Sequence, residues 1–304
     1  MSSILKNIAI IGASGSVGKP TLDELLKIGK HNITVITRKS SEAVFPAGVR
    51  VEKGDYDDDA FMQSALAGQD VLIIMLAFPA LPQQDLILQQ AAKAGVKYVL
   101  PSEYGMDSQN EKACEISSMI QEKEDIQNRI KELGMKFIAV VTNFWTDYMI
   151  AHRAGGYDLL TRKATIHPGP YRWHTTTQAQ VGRGIAAMLS LPTTTIERDF
   201  ANNWLYLTSF HVTHEEMFHA ILQATSSTEA DWMVERKPAE QLVREGKEKL
   251  GKGDCSGVWD VLHGAVFAEG YGGAYSREPH NGMLGLPEED LVEVIRTAAR
   301  EVKE

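Results

Sequence analysis

The stretch Asn7-Ile8-Ala9-Ile10-Ile11-Gly12-Ala13-Ser14-Gly15-Ser16-Val17-Gly18 decides how the rest of the chain is read. An apolar run of strand-forming residues enters a G-x-x-G-x-x-G turn. Beyond it an amphipathic segment carries Val17, Leu22, Leu25 and Leu26 on one face. A tight turn leaving a strand needs glycine, and so does a backbone that must approach a pyrophosphate. The helix N-terminus that follows offers unpaired N–H groups and the positive end of a dipole. In this context the string reads as a dinucleotide-binding turn made of Gly12, Ser14, Gly15, Ser16, Val17 and Gly18. A glycine-rich turn with only a packing role is the plainer alternative.

The same alternation continues outward. NITVIT (32–37), VRVEKG (49–54), DVLIIML (70–76), KYVLP (97–101) and KFIAVVT (136–142) are further strand candidates, and helical patterns lie at 17–29, 58–67, 82–94 and 115–133. Six strands joined by right-handed crossovers predict an α/β fold, a Rossmann-type doubly wound parallel sheet. After about residue 150 the rhythm changes: turn-rich AGGYDLL and GPYRW precede helical patterns at 177–190, 213–224, 238–249 and 287–302 and a strand candidate at 204–209. This predicts a nucleotide-binding segment over 1–153 and a smaller, mixed α/β substrate lobe over 154–304, with the chain crossing between the two. The glycine-rich stretch 269–285 should be an irregular loop.

Composition narrows the function. The 304 residues are 43% hydrophobic and 23% charged, enough for a full core, and 31 Lys+Arg against 40 Asp+Glu give a formal net charge of -9. Such an average field disfavours nucleic acid and anionic membrane surfaces as partners and leaves a small-molecule substrate as the expectation. Cys114 and Cys255 are far apart and in no metal-binding or disulfide spacing, which fits a reducing cytoplasm. The N-terminus reads as a strand rather than a secretory signal, and no apolar run approaches the roughly 20 residues that span a bilayer. A monomer or a homodimer is expected.

The end of the second strand selects the cofactor. A site for NAD places a carboxylate there for the ribose 2′-hydroxyl, whereas one for NADP places arginine to meet the 2′-phosphate. Here the strand ends Thr37-Arg38-Lys39-Ser40, and a guanidinium with a second cation suits a phosphate, so NADPH is expected. Asp55 after the third strand either meets the adenine edge or joins Asp57, Asp58 and Asp59 in capping the next helix. Leu76, Ala77 and Phe78, ending the fourth strand, should flank the nicotinamide ribose, with Phe78 on the ring or in the core.

Two chemistries are disfavoured. None of the nine tyrosines has lysine four residues on, which removes the Tyr-x-x-x-Lys mechanism of ordinary short-chain reductases. His211, His214 and His219 lack the spacing of zinc ligands on a helical face, and Thr213 with Glu216 reads as a capping box, so no metal is expected.

GASGSVG, the basic strand end TRK, GDYDD, KYVLPSEYG at 97–105, and Lys123 leading to Asn143 resemble the isoflavone reductase-like and NmrA-like atypical short-chain reductases. The likeness is strong over about residues 5–150. PSEYG is its most distinctive element, with Tyr104 where that family carries phenylalanine. The resemblance implies an NADPH-dependent reductase of a small aromatic or conjugated metabolite, with Lys123 as the proton relay beside the nicotinamide. Asn143 and Phe144 are then expected at the cofactor, and Tyr104, Trp145 and Tyr148 at the substrate. Trp145 as an inter-lobe packing residue is the alternative. Tyr171, Trp173 and the 269–285 loop either close over substrate or form a plain loop. A redox-sensing regulator that binds NAD(P) without turnover is the competing function.

Overall fold

The computed structural model describes residues 3–302, so Met1-Ser2 and Lys303-Glu304 of the two expected segments lie outside the described residues. In chain order the nucleotide-binding half runs β1 (Asn7–Ile11), α1 (Gly18–Ile28), β2 (Asn32–Thr37), β3 (Val49–Lys53), α2 (Asp59–Leu66), β4 (Val71–Ile74), a 3-10 turn (Phe78–Gln83), α3 (Gln84–Lys93), β5 (Tyr98–Leu100), α4 (Glu111–Ile116), α5 (Ser118–Glu132) and β6 (Lys136–Val141). There follow α6 (Thr146–Ala151), β7 (Tyr157–Asp158), β8 (Lys163–Ile166), β9 (Trp173–Thr175), α7 (Gln178–Leu189), α8 (Thr193–Asp199), β10 (Asn203–Tyr206) and β11 (Phe210–Val212). The chain ends with α9 (His214–Ala224), β12 (Met233–Arg236), α10 (Ala239–Gly251), α11 (Gly257–Phe267), α12 (Asn281–Leu284) and α13 (Leu291–Ala299).

Seven parallel strands form the main sheet in the order β10-β6-β5-β4-β1-β2-β3, as a doubly wound Rossmann fold requires. Side chains alternate between two helical layers because a strand has period two. Ile8 and Ile10 of β1 enter one core with Leu22 and Leu25 of α1 and Val181 and Ile185 of α7. Ala9 and Ile11 enter the other with Met62 of α2, Ile87 of α3 and Ile130 of α5. All four β1 residues are fully buried, which is why this strand reads as a continuous apolar run. Each buried isoleucine contributes roughly 1.5–3 kcal/mol.

The strand candidate at 204–209 was expected in the second lobe. It is β10, the seventh strand of the main sheet, paired with β6 from Asn203 opposite Ile138 to Tyr206 opposite Val141. With α7 and α8 it returns the chain to the nucleotide layer, so the crossing between lobes comes after residue 177 and reverses before 210. The helix expected over 115–133 is divided at Ser117, whose extended backbone (φ −147°, ψ 115°) separates α4 from α5.

The remaining elements form the mixed α/β lobe: a three-stranded sheet β12-β8-β7 and a β11-β9 pair beneath α9, α10, α11 and α13. Its core is aromatic where that of the Rossmann layers is aliphatic, with Tyr157, Trp173, Phe218 and Trp232 buried together. The capping box on α9 is present: Glu216 N donates to Thr213 Oγ1 (3.1 Å) and Thr213 N to Glu216 Oε2 (2.8 Å). Trp173 is 1% exposed within β9, so it is a core residue of this lobe. Among the described residues no helix is long and apolar enough to cross a membrane.

Candidate functional site

Because every strand of the main sheet is parallel, the segments following β1, β2, β3, β4, β5 and β6 emerge at one edge, where open α/β sheets bind ligands. The glycine turn stands at its centre. Gly12 has φ +84°, and a Cβ there would lie 2.0 Å from the Met75 carbonyl oxygen at the end of β4. A Cβ on Gly18 would lie 2.0 Å from the Gly12 oxygen. The turn is closed by Gly15 N donating to Gly12 O (2.9 Å), which leaves Ser14, Gly15 and Ser16 exposed at its rim. No side chain caps the N-terminus of α1; Lys19 N is taken up by Gly15 O (2.9 Å) and Pro20 has no N–H, so the main-chain N–H of Gly18 is what this end of the helix offers an anion. These features fit a dinucleotide pyrophosphate.

Arg38 and Lys39 are both exposed immediately after β2. Tyr56 lies close enough to Arg38 for that charge to oppose the burial that raises its phenol pKa. Asp58 is the residue that caps α2, accepting from Phe61 N at 3.0 Å, whereas the Asp55 carboxylate is exposed. After β4, Leu76 is locked to the β5 loop: its N–H donates to Ser102 Oγ (3.0 Å), whose hydroxyl donates back to Leu76 O (3.1 Å). Ala77 is exposed and Phe78 is 52% exposed, which removes the core reading of that ring.

Lys123 projects from α5 into the loop after β5. Its Nζ donates to Glu103 O (3.1 Å) and Met106 O (2.6 Å), leaving one ammonium donor without a protein acceptor. Burial pushes this lysine's pKa down, and the Glu103 and Asp107 charges act in the opposite direction. Glu103 is itself buried; burial raises its carboxyl to about 7, against the pull of Lys123 and a hydrogen bond from Gln127. Tyr104 packs against the core beneath the glycine turn, and its hydroxyl is buried without a partner. Its phenol lies well above the ordinary value because of that burial.

Asn143, at the end of β6, adopts φ +50° and is held by its N–H to Gly105 O (3.0 Å). Its side-chain amide donates to Gly273 O (2.8 Å), which ties the 269–285 loop to the sheet edge, while Oδ1 is buried without a partner. His174 N also donates to Gly273 O (2.8 Å), Ala274 N to Tyr171 Oη (2.8 Å) and Tyr275 N to His174 Nδ1 (3.0 Å). The loop is therefore a strap fixed from both lobes.

Phe144 turns its ring into the second lobe, 4.7 Å from His263 and 6.3 Å from Phe267 between ring centres. The ring's packing is thus committed to that lobe rather than to the nucleotide layer. Trp145 packs on the Rossmann core, donates from Nε1 to Thr142 Oγ1 (3.2 Å) and meets Tyr148 edge-on at 5.6 Å. Tyr148 is exposed and stacks on His152. Sequence reasoning missed the polar residues behind the lysine, namely Glu103, Asp107, Ser108, Gln127 and Tyr206. Only Glu103, inside PSEYG, left a local signal.

Comparison with known proteins agrees with this architecture. Oxidoreductase aprR of Aspergillus flavus is 28% identical over 296 residues, covering 95% of this chain and 97% of its own. Among solved structures, isoflavone reductase superposes with a TM-score of 0.79 at 18% identity, over 96% of this chain and 99% of the other. AtPrR2 with NADP+ and (+)pinoresinol gives 0.77 at 17% identity, over 98% of this chain and 100% of the other. Residues 5–195, which include the glycine turn, Lys123 and the return through α7, match the model of the NmrA-like family, and the chain belongs to that family.

Proposed function

We propose that this protein is an NADPH-dependent reductase of a small aromatic or conjugated metabolite, with Lys123 as the group that delivers the proton. The observation that carries the reading is the placement of the Lys123 ammonium: half-buried at the carboxyl edge of the sheet, anchored through two main-chain carbonyls, and left with a donor to spare. A sensor that only binds a nucleotide has no use for such a group. The name of the aprR relative, an oxidoreductase matched over almost its whole length, supports the same choice.

The glycine turn and the uncapped α1 N-terminus would hold the pyrophosphate of NADPH, and Arg38 with Lys39 its 2′-phosphate. When bound, NADPH supplies the hydride. The chain supplies the rest. Burial lowers the proton affinity of Lys123 so that it can release a proton to an oxygen or carbon gaining charge, and the two carbonyls fix the direction of the remaining N–H. Tyr104, Trp145 and Tyr148 are the substrate-facing aromatics in this reading, and the strap at Gly272–Gly273 limits the space beside Asn143. Overall the substrate would gain one hydride from the cofactor and one proton from Lys123, which is then reprotonated from solvent.

The test is consumption of NADPH with a panel of quinones, enones and benzylic ethers. Lys123→Ala should bind NADPH as the wild type does and lose about 10²–10⁴ in kcat. Unchanged turnover in that variant would remove Lys123 from the mechanism.

A further inference from the structure

Among the described residues, Glu103 Oε1, Tyr104 Oη and Asn143 Oδ1 are buried without a hydrogen-bond partner, and all three belong to the segments that surround Lys123. Of these atoms only the Glu103 oxygen belongs to a group that changes charge in the neutral range. Glu103 is 5% exposed and is gripped twice by α5. Lys123 Nζ donates to its main-chain carbonyl (3.1 Å), and Gln127 Nε2 donates to its side-chain Oε2 (2.8 Å). Lys123 and Gln127 are four residues apart, so they leave the same face of the helix. A single helical turn thereby fixes both the backbone and the carboxyl of Glu103.

The other buried acid of the cluster is already satisfied. Asp107 accepts from Gln109 N (2.9 Å) at Oδ1 and from the Tyr206 hydroxyl (2.9 Å) at Oδ2. Ser108 Oγ, beside it, accepts from Gln127 (2.9 Å) and from the Trp204 indole (3.2 Å). Lys123 thus shares one cluster with two carboxyl groups, neither in direct ion-pair contact with its Nζ, which bonds to main-chain carbonyls, and only Glu103 has a carboxyl oxygen without a hydrogen-bond partner.

We propose that Glu103 is a positioning residue for Lys123: held by its main chain on the ammonium and by its carboxyl on Gln127 of the same helical turn, it is coupled to Lys123 across the cluster, so that the two groups are ionised together or neutral together. The pair sets the pH range over which Lys123 has a proton to give. Ionisable groups that interact within one site of low polarity titrate as a coupled set. The directions agree: burial raises the Glu103 carboxyl and lowers the Lys123 ammonium toward each other, and each charge opposes that movement in its partner. The titratable groups facing the pair are Asp107, whose charge favours the lysine cation and disfavours the Glu103 anion, Cys114 beside Lys123, and Tyr104 beside Glu103. Gln127 is the neutral neighbour that favours the Glu103 anion.

The proposal rests on the reductase reading for its catalytic meaning, but its test does not need turnover. Protein labelled with ¹³C at the lysine ε-carbon, free of cofactor and substrate, is titrated by NMR, and the Lys123 signal is identified by its loss in Lys123→Ala. Glu103→Gln keeps the shape and an oxygen for Gln127 while removing the charge. It should lower the Lys123 midpoint by at least about one pH unit, a tenfold change in proton affinity. Gln127→Met, which deprives the carboxylate of its N–H, should lower it by a smaller amount. An unmoved midpoint in folded Glu103→Gln overturns the pair; should that variant fail to fold, an unmoved midpoint in Gln127→Met overturns it. In turnover, the alkaline limb of the kcat profile should follow the NMR midpoint with KM for NADPH unchanged. A shifted midpoint in a protein that reduces nothing would leave the pair standing and overturn the reductase reading. Turnover that depends on Lys123, with a fixed midpoint, would overturn the pair alone.

Discussion

The glycine turn and the Lys123 cluster share one sheet edge, and they are assembled by different means. The turn is seven consecutive residues whose geometry lies in the main chain: Gly12 passes against the Met75 carbonyl, and Gly18 against Gly12 itself. The cluster draws on the loop after β5, the middle of α5 and, through Tyr206 and Trp204, on β10, about a hundred residues away in sequence. Its geometry lies in buried side chains. A main-chain site has no room for an added atom at Gly12 or Gly18 and holds its anion without an ionisable side chain. A buried polar site tolerates isosteric change of shape and is sensitive to any change of charge.

The largest effect should come from filling the main-chain site. Gly12→Val places a branched side chain at φ +84° with its Cβ 2.0 Å from a carbonyl oxygen that belongs to the central sheet. We expect a loss of stability of about 3 kcal/mol or more in denaturant unfolding and no measurable binding of either NADPH or NADH by calorimetry. Retained binding of one nucleotide would show that the turn can open, and the contrast with the lysine cluster would fail.

The buried site should answer to pH. Burial raises Glu103 from its ordinary 4.5 to about 7 and Asp147, which accepts from Gln178 N, from 3.8 to about 6. Both groups then hold protons in the folded state that the unfolded chain has released. Their contribution to stability is complete below the ordinary values and is lost as pH rises through the folded ones. Glu103→Gln should remove its share, so the fall in unfolding free energy between pH 5 and pH 8, approximate limits of the window, becomes smaller in the variant than in the wild type. Parallel curves for the two proteins would mean that this carboxyl titrates normally.

The same contrast explains what the sequence disclosed. β1, β2 and β4 are buried on both faces and read as unbroken apolar runs, and the glycines announce their turn. β10 was legible as a strand, but its pairing with β6 depends on a crossover that no local pattern encodes. α11, GVWDVLHGAVF, is buried along most of its length and so lacks the one-sided period that marks a helix. β7, β8 and β12 are two to four residues long, too short for alternation to show. Lys123 stood among Glu122, Glu124 and Asp125 as on a solvated face. What distinguishes it is the loop that folds over its Nζ, and the acceptors there are carbonyls, which carry no residue identity. Phe144 was expected from the resemblance alone, and its ring packs beside His263, a neighbour far away in sequence that no local pattern discloses.

The smallest expected effect separates charge from main chain within the nucleotide site itself. Arg38 is exposed, so Arg38→Ala should leave the fold intact, and its contact with a 2′-phosphate would be screened by solvent. A charge-assisted, bidentate contact of that kind is worth about 1.5–3 kcal/mol when well formed. At an exposed position the lower end applies, so NADPH affinity should fall roughly tenfold, and less at high ionic strength, while NADH affinity stays where it was. Titration of both nucleotides at two salt concentrations gives the answer directly. Equal losses for the two would move Arg38 from the 2′-phosphate to a part common to both cofactors. Arg38 and the glycine turn, whose disruption abolishes binding of either, would then both serve the part of the dinucleotide that NADPH and NADH share.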